Sequence, residues 1–404
     1  MVDNFSKTIW QGIVETVWQI IDALYRTCVR LLYHSKIVGV FALIAVIIFL
    51  TSCGFFISIF YENHHAQYNT QDIQNDKNSR DASSGFYVID VGQGDSLLYI
   101  TKENQTFLID TGKPGDGIVQ KLENILGKYR KKIDVVLLTH PDSDHVGEIN
   151  NILSSFNVGL ILYSPIYDVR PDSKKSIDEI KNKNKGLTLP IFAGSNLVFS
   201  ENKNKTKDVG NQGTRYNFEN EKISESAYFL SPSFSGMTTF INKKEIAEDN
   251  YFSVVAMIEN KDAIFAMADA PQKIEKVLAS NSVVKSTTSM SAESPDIFES
   301  TSSLATITGR KFARNDFDKI ILKVGHHGSK TSSAPEFIQA LSPTDAVLSY
   351  GLNNRYGHPN KETLDTLDAL SGAPSSLSSS SSSVISIPKI KIHRTISGTV
   401  YFNE

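Results

Sequence analysis

Cysteine is almost absent from this sequence: 404 residues contain two, Cys28 and Cys53, and both lie near the N-terminus. The remainder of the chain therefore has no disulfide and no thiolate ligand for a metal. A large excess of either charge is also lacking, because the formal net charge is −3. Composition thus neither indicates nor excludes a nucleic-acid partner. Any metal held by the later part of the chain must be bound by imidazole and carboxylate groups. That ligand set suits zinc and also admits harder ions such as manganese.

One long apolar run is present, at residues 37–61. It carries no charge and exceeds the roughly 20 residues that a helix needs to cross a bilayer. Four Lys and Arg residues precede this run and only two follow it before residue 84. The positive-inside rule therefore places the N-terminus in the cytoplasm and the rest of the chain outside the cell membrane. We predict a single-pass transmembrane anchor; a cleaved signal peptide is disfavoured by the length of residues 1–36, and lipidation at Cys53 stays open.

The segment before the anchor has helical periodicity. Apolar residues recur at steps of four and three from Trp10 to Leu31, and polar residues occupy the opposite face. This pattern predicts a cytoplasmic amphipathic helix within residues 1–36 that is too polar on one face to span a membrane. The pattern favours a helix that either lies on the inner membrane surface or pairs with a partner helix through residues 8–34. The sequence does not distinguish these two arrangements. Residues 62–84, rich in Asn, Gln, Asp and Ser, are typical of a flexible linker.

Residues 85–404 alternate short apolar runs with helical patterns, which indicates one α/β domain. Two Ser-rich tracts, at about residues 279–314 and 375–383, cannot bury a core and are predicted to be inserted surface loops. Strands are predicted at 86–90, 96–100, 106–110, 133–138 and 320–325, with a hairpin formed by 251–259 and 263–268. Helices are predicted at 117–129 and 147–155.

The most informative segment is Leu138-Thr-His140-Pro-Asp142-Ser-Asp144-His145-Val-Gly147. It places two imidazoles and two carboxylates within six residues, directly after a predicted buried strand. Side chains of this kind aimed into one small space repel one another, or leave hydrogen-bonding capacity unused, unless a cation lies between them. An exposed polar turn is the alternative. A strand followed by ligands in a tight loop is nevertheless the context that metal sites use, so the segment predicts a metal centre.

Six motifs in a fixed order carry a resemblance to a known family. They are Phe86-Tyr-Val-Ile-Asp-Val-Gly-Gln-Gly-Asp-Ser96, Leu108-Ile-Asp110-Thr-Gly, Thr139-His-Pro-Asp-Ser-Asp-His-Val-Gly147, Met267-Ala-Asp269, Leu322-Lys-Val-Gly-His-His-Gly-Ser329 and Arg355-Tyr-Gly-His358-Pro. The chain from residue 85 onward resembles the metallo-β-lactamase superfamily and, within it, the C-terminal hydrolase domain of ComEC-type competence proteins and their stand-alone relatives. The resemblance implies an αββα sandwich with two divalent metal ions, zinc or manganese, at one edge of its two sheets.

The resemblance also implies a set of metal ligands. For the first ion these are His140 and Asp142; for the second, Asp144, His145 and one of His326 and His327; and Asp269 bridges both. Within the pair we favour His326, with the other His as a donor to a ligand or a substrate contact. A further His that the superfamily places before the bridging Asp is missing, since residues 146–325 contain none. Either the first ion binds weakly, or a group such as His358 or Asn250 completes its ligand set.

Other residues match positions that contact substrate or support the site. Asp142 or Asp144 can orient the attacking water or take its proton. His358 can donate to a substrate oxygen, although a structural role in its turn fits equally well. Asn250 and Ser329 are further candidates for substrate binding. Three carboxylates are expected to support the loops beneath the metals: Asp90, Asp95 and Asp110.

The resemblance implies hydrolysis with a metal-activated water as the nucleophile. The favoured reaction is phosphodiester hydrolysis, as a nuclease acting on DNA outside the cell membrane in DNA uptake or the processing of extracellular DNA. Two alternatives stay open: hydrolysis of a small ester or lactam, and a non-catalytic surface module with one structural metal. Metal content separates the last of these, because about two ions per chain favours catalysis and one favours a structural role.

Overall fold

The computed structural model describes residues 82–199, 225–232, 249–279, 316–371 and 389–403. All of these residues belong to one contact unit. The predicted N-terminal helix, the predicted anchor, most of the linker and most of both Ser-rich tracts lie outside them. Across the described ranges, no helix combines the length and the apolar character needed to cross a bilayer.

The first sheet contains the strands predicted around the metal-site motif. Its members are β1 (Gly85–Val88), β2 (Leu97–Ile100), β3 (Thr106–Ile109), β4 (Lys132–Leu138), β5 (Asn157–Tyr163), β6 (Leu187–Pro190) and β14 (Val400–Asn403). They lie in the order β14-β1-β2-β3-β4-β5-β6. Pairing is antiparallel from β14 to β3 and parallel from β3 to β6. The carboxyl ends of β3, β4 and β5 therefore share one edge.

The second sheet has the same arrangement. Its members are β7 (Asn196–Phe199), β8 (Glu225–Phe229), β9 (Ala256–Glu259), β10 (Ala263–Ala266), β11 (Ile320–Lys323), β12 (Asp345–Leu348) and β13 (Lys391–Arg394), in the order β13-β12-β11-β10-β9-β8-β7. Pairing is antiparallel from β7 to β10 and parallel from β10 to β13. The predicted hairpin is confirmed as β9 and β10, with Asp262 donating its amide to the Asn260 side chain at 2.6 Å.

Seven helices are described: α1 (Ile118–Leu126), α2 (Ser143–Val146), α3 (Ile149–Ser155), α4 (Pro171–Lys183), α5 (Gln272–Ala279), α6 (Pro335–Leu341) and α7 (Lys361–Leu370). Short 3₁₀ turns occur at Pro165–Asp168, Asp249–Phe252 and Thr395–Ser397. The helix predicted at 117–129 is shorter than expected because glycines bound it. Gly117 and Gly127 have φ values of 68° and 88°, a region that glycine adopts without steric cost.

Helices cover the outer face of each sheet. Ile118 and Leu122 of α1 pack into a core with the first sheet, and Ile274 of α5 packs into a separate core with the second. Between the sheets, the rings of Phe107 and Phe229 meet edge to face at 6.4 Å. The layer order is therefore helix, sheet, sheet, helix, and the predicted αββα sandwich is confirmed for the described residues.

The strand predicted at 320–325 ends two residues early, at Lys323. The turn Gly325–Gly328 follows, and in it His326 and His327 have φ values of 48° and 55°. Two successive residues other than glycine in this region are strained by roughly 1–3 kcal/mol each. The left-handed conformation at these two residues turns the chain after β11.

Candidate metal centre

The predicted ligands converge where the carboxyl ends of β4, β10 and β11 meet. His140 lies two residues beyond β4, and α2 carries Asp144 and His145. Asp269 follows β10, and the pair His326 and His327 follows β11, which runs parallel to β10. Three sequence segments thus deliver their acids and imidazoles to one edge of the sandwich.

Asp269 lies at the centre of this cluster. Its Oδ1 is 3.2 Å from His145 Nε2 and 3.7 Å from His327 Nε2. Its Oδ2 is 3.4 Å from His326 Nε2 and 3.7 Å from His140 Nε2. Each oxygen therefore faces two imidazoles, which is the arrangement that a carboxylate bridging two ions requires.

Three overlapping groups of ligand atoms each fit around one ion. They are His140, His145 and Asp269; Asp144, His145 and His327; and Asp95, Asp269 and His327, with the atoms of each group within 4.8 Å of one another. The first group lies toward the predicted first ion and the second matches the predicted set for the second ion. The shared members place the two sets side by side.

The ligand imidazoles are held through their other ring nitrogen. His145 Nδ1 lies 2.7 Å from Asp110 Oδ2, and His327 Nδ1 lies 3.0 Å from the carbonyl oxygen of Ser349. His140 Nδ1 pairs at 3.0 Å with the hydroxyl of Thr139, which itself donates to Asp110 at 2.7 Å. Fixing Nδ1 in this way leaves Nε2 free to bind a metal and sets the ring orientation.

The atoms that face the centre of the cluster lack hydrogen-bond partners. These buried atoms are Asp95 Oδ1, His140 Nε2, His145 Nε2, Asp269 Oδ1 and His327 Nε2. A buried polar atom without a partner costs about 1–3 kcal/mol, so five around one point are expensive unless a cation satisfies them. The residues therefore fit divalent metal ions held by imidazole and carboxylate.

The charges of the cluster favour a cation in the same place. Burial raises the pKa of Asp269, but the His145 and His327 imidazoles outweigh burial and hold this pKa well below its ordinary value. Burial lowers the pKa of His145, but Asp269 and Asp110 outweigh it and raise this pKa well above its ordinary value. Both pKa shifts mean that the carboxylates stabilise positive charge between the rings. A metal ion would supply positive charge at the same place.

A fully buried ion pair supports the second set of ligands. Lys323 Nζ, with a side chain 0% exposed, donates to Asp95 Oδ2 at 2.8 Å. The other oxygen of Asp95 lies 3.4 Å from His327 Nδ1. Burial raises the pKa of Asp95, but Lys323 and His327 hold it below its usual range. Asp95 therefore lies where a supporting role requires it, as does Asp110.

The distances favour His327 over His326 as the ligand shared with Asp144. His327 Nε2 lies 3.5 Å from Asp144 Oδ2 and is buried, whereas the side chain of His326 is 27% exposed. The sequence-based preference for His326 is not supported by this geometry. His326 instead approaches the Asp269 oxygen that also faces His140, on the side where the expected first ligand set lacks a His.

The remaining predicted residues differ in their placement. Asp142 directly precedes α2, and its side chain makes no capping hydrogen bond. Its Oδ2 lies 3.6 Å from His140 Nε2. The His358 ring centroid is 5.5 Å from that of His326, which brings it to the site. Burial, together with His326 and His327, lowers the pKa of His358 to about 4. His358 is therefore neutral at pH 7.

Hydrogen bonds describe the places of three further residues: Ser329 and Asn250, predicted to contact substrate, and Asp90, predicted to support the loops. Ser329 is buried, and its hydroxyl pairs at 3.0 Å with Thr331, whose hydroxyl also pairs with His326 Nδ1 at 3.0 Å. This position favours support of His326 over substrate contact. Asn250 lies in the turn Asp249–Phe252, where its carbonyl accepts from Ser253. Asp90 accepts from the amide of Gly92 at 3.1 Å and so shapes its own loop.

Two contributors to the site were missed by sequence reasoning. Lys323 could have been found from sequence, because it is a charged residue in an otherwise apolar predicted strand. A buried charge of this kind requires a partner. No sequence pattern indicated Asp249, yet this residue lies near the ligands predicted for the first ion. Burial raises its pKa, Arg170 at 2.6 Å opposes the rise, and the charge of Asp142 adds to it.

Comparisons with known proteins agree with this geometry. Residues 89–216 match the family model of the metallo-β-lactamase superfamily. The chain is 24% identical over 298 residues to ComE operon protein 3 of Bacillus subtilis, covering 69% of this chain and 30% of that protein. It is 26% identical over 277 residues to competence protein ComA of Neisseria gonorrhoeae, covering 68% of this chain and 28% of that protein. The chain thus spans less than a third of the length of these relatives.

Among solved structures, the chain is similar to the metallo-β-lactamase fold protein YhfI from Bacillus subtilis. The identity is 9% and the TM-score 0.39, over 79% of this chain and 100% of YhfI. It is also similar to a diphosphatase of the PhnP family, at 10% identity and a TM-score of 0.36 over 79% of this chain and 98% of that chain. The family model matched over residues 89–216 and the competence-protein relatives agree with the ligand-bearing edge of the sandwich, so this chain resembles the metallo-β-lactamase superfamily and, within it, competence proteins.

Proposed function

We propose that this protein is a membrane-anchored, metal-dependent phosphodiesterase that cleaves DNA outside the cell membrane. The observation that carries the proposal is the cluster of partnerless ring nitrogens and carboxylate oxygens around Asp269. The similarity to proteins named for competence and recombination supports DNA as the substrate. When bound, two divalent ions lower the pKa of a water molecule and neutralise charge on phosphate oxygens.

The chain's own residues provide the remaining requirements for this reaction. Asp269 joins the two ligand sets, and the supported imidazoles fix their geometry. Burial raises the pKa of Asp144, but His327 and His145 hold it below its ordinary value, so this carboxylate is ionised at neutral pH. An ionised Asp144 can accept a hydrogen bond from the attacking water and orient it. The neutral His358, whose Nδ1 has no hydrogen-bond partner, can bind a phosphate oxygen or the leaving group.

Cleavage assays on the full chain, purified in detergent, test the proposal. Labelled single-stranded and duplex DNA would be incubated with manganese, zinc or EDTA. Asp269→Asn is the test variant, and Asp345→Asn is its control, because Asp345 is also buried but begins β12 at the opposite edge of the sheet. We expect cleavage that EDTA abolishes, little change in Asp345→Asn, and a loss of about 100-fold or more in Asp269→Asn.

Four results would contradict the proposal or favour an alternative. DNA left intact under every metal would remove the nuclease activity, as would equal cleavage by the two Asn variants. Hydrolysis of a nitrophenyl ester or a lactam without DNA cleavage would favour a small substrate. One tightly bound ion per chain by mass spectrometry, without hydrolysis of any substrate, would favour the structural module.

The anchor rests on residues 37–61 and on the charges that flank them. We propose that these residues hold the hydrolase domain on the outer face of the membrane, joined by residues 62–84. Protease added to intact spheroplasts should then digest the hydrolase domain and spare residues 1–36. Protection of the domain until the cells are lysed would reverse the proposed orientation.

A further inference from the structure

A row of rings leads outward from the metal centre. The His358 ring lies 6.3 Å from that of His327, with 27° between their planes. The Tyr356 ring lies 5.7 Å from that of His358 on a plane tilted by 23°. These are offset stacks within the separations that aromatic pairs prefer. The row therefore connects a predicted metal ligand to the protein surface through rings of similar orientation.

The outer end of the row is exposed to solvent. Tyr356 is 54% exposed, and the nearby Leu352 is 75% exposed. The guanidinium of Arg355 lies 5.4 Å from the Tyr356 ring centroid, within the range of a cation–π contact. An aromatic surface and a cation thus stand together beside the site that is proposed to cleave a phosphodiester.

Hydrogen bonds fix the loop that carries Tyr356. Asn354 Nδ2 donates to the carbonyl oxygens of Gly351 at 2.9 Å and His358 at 2.7 Å. The amide of His358 donates back to Asn354 Oδ1 at 3.0 Å. A side chain at Gly351 would collide with Gln93, because a Cβ there would lie 2.8 Å from the Gln93 amide nitrogen. The loop is therefore preorganised against the body of the domain, which lowers the entropy lost when it binds a ligand.

We propose that Tyr356 is a stacking platform for an unpaired nucleobase next to the scissile phosphate, and that the substrate is single-stranded nucleic acid. This inference rests on the proposed nuclease function and adds a substrate class to it. A base in a duplex is already stacked and paired, whereas a base in a single strand can lie on an exposed aromatic ring. Arg355 adds a positive charge for the adjacent phosphate. Every base has a π face, so the platform is tolerant of sequence.

Binding measurements test the platform apart from cleavage. Anisotropy of a fluorescein-labelled oligo-dT would be followed with the full chain in detergent, in an Asp269→Asn background so that no strand is cut. Tyr356→Ala should raise the Kd about tenfold, because stacking contributes about 1–3 kcal/mol per base. Tyr356→Phe should stay within about twofold of the parent, because Phe keeps the ring. Tyr129→Ala, which removes a tyrosine that is 80% exposed on another part of the domain, should have no effect.

Duplex DNA provides a second comparison. Binding of a blunt duplex should change less than twofold in Tyr356→Ala. Equal oligo-dT affinity in Tyr356→Ala and its parent would overturn the platform even if the wild-type chain cleaves DNA. An equal loss in Tyr356→Ala and Tyr356→Phe would also overturn it, since the ring would then not be the binding element. Loss of oligo-dT binding in Tyr356→Ala with no cleavage by the wild-type chain would support the platform and remove the nuclease.

Discussion

Replacing Lys323 by Met tests the buried pair behind His327. Lys323 and Asp95 are 2.8 Å apart, and their side chains are 0% and 1% exposed. Removing the cation leaves the Asp95 carboxylate buried without its strongest partner, and such changes cost about 3–5 kcal/mol. Because His327 still faces the other oxygen of Asp95 at 3.4 Å, we expect a loss near 3 kcal/mol in the free energy of unfolding. For a domain of this size, this corresponds to a fall in Tm of roughly 5 °C.

The double variant Lys323→Met with Asp95→Asn separates charge from packing. It removes both charges, so it should recover most of the loss and give a coupling energy of about 2 kcal/mol or more. Lys361→Met is the surface control, since Lys361 pairs with Asp365 on the exposed face of α7 and should leave the melting midpoint unchanged. Urea denaturation and thermal melts in EDTA measure these values without a contribution from metal. A loss below about 1 kcal/mol in Lys323→Met, or a double variant no more stable than the single one, would refute the reasoning.

Three further predictions concern the metal centre. His327→Ala should lower the bound metal, measured by mass spectrometry after dialysis, more than His326→Ala does, and the opposite order would return the ligand position to His326. Burial lowers the pKa of His327, but Asp269 and Asp95 outweigh it and raise this pKa from its ordinary value of 6.5 to about 9. The protonated ring therefore stabilises the metal-free fold fully below pH 6.5, and this contribution is lost as pH rises through 9. Melts in EDTA should fall over that range, and Asp269→Asn should flatten the profile; a flat profile in the parent would contradict this. Asp110→Asn should weaken metal binding about 10–100-fold while the α/β circular dichroism is kept, because His145 loses the carboxylate that orients it; unchanged affinity would show that Asp110 supports only the loop.

The strands and the metal-site edge were predictable because their signals are local. The run Ile133–Leu138 is apolar except for Asp134, as expected of a strand covered on both faces. Parallel strands bring their carboxyl ends to one edge, so Asp269 after β10 and the two imidazoles after β11 could be expected to meet. The meeting of these residues with those after β4, in the other sheet, was implied by the family resemblance alone.

The choice between His326 and His327 was not predictable from sequence. Both adopt positive φ values, and they differ in their contacts: His327 lies against Asp95, Ser349 and Asp144, whereas His326 is partly exposed. The position of Asp249 depends on the turn Asp249–Phe252, whose last two residues overlap the strand predicted at 251–259. Contacts between distant segments determine both the choice of histidine and the position of Asp249. The period of two in strands, or of 3.6 in helices, carries no information about such contacts.

The pairing of β14 with β1 governs the order in which the domain can be completed during synthesis. Gly85 pairs with Asn403, so the first described strand of the domain borders the last described one, more than 300 residues later in the chain. Until β14 is in place, β1 presents open amide and carbonyl groups at the rim of its sheet. Contacts of such long sequence separation slow folding. Deleting residues 400–403 would therefore expose an unpaired strand edge on β1, and such a variant should aggregate more readily than the parent chain.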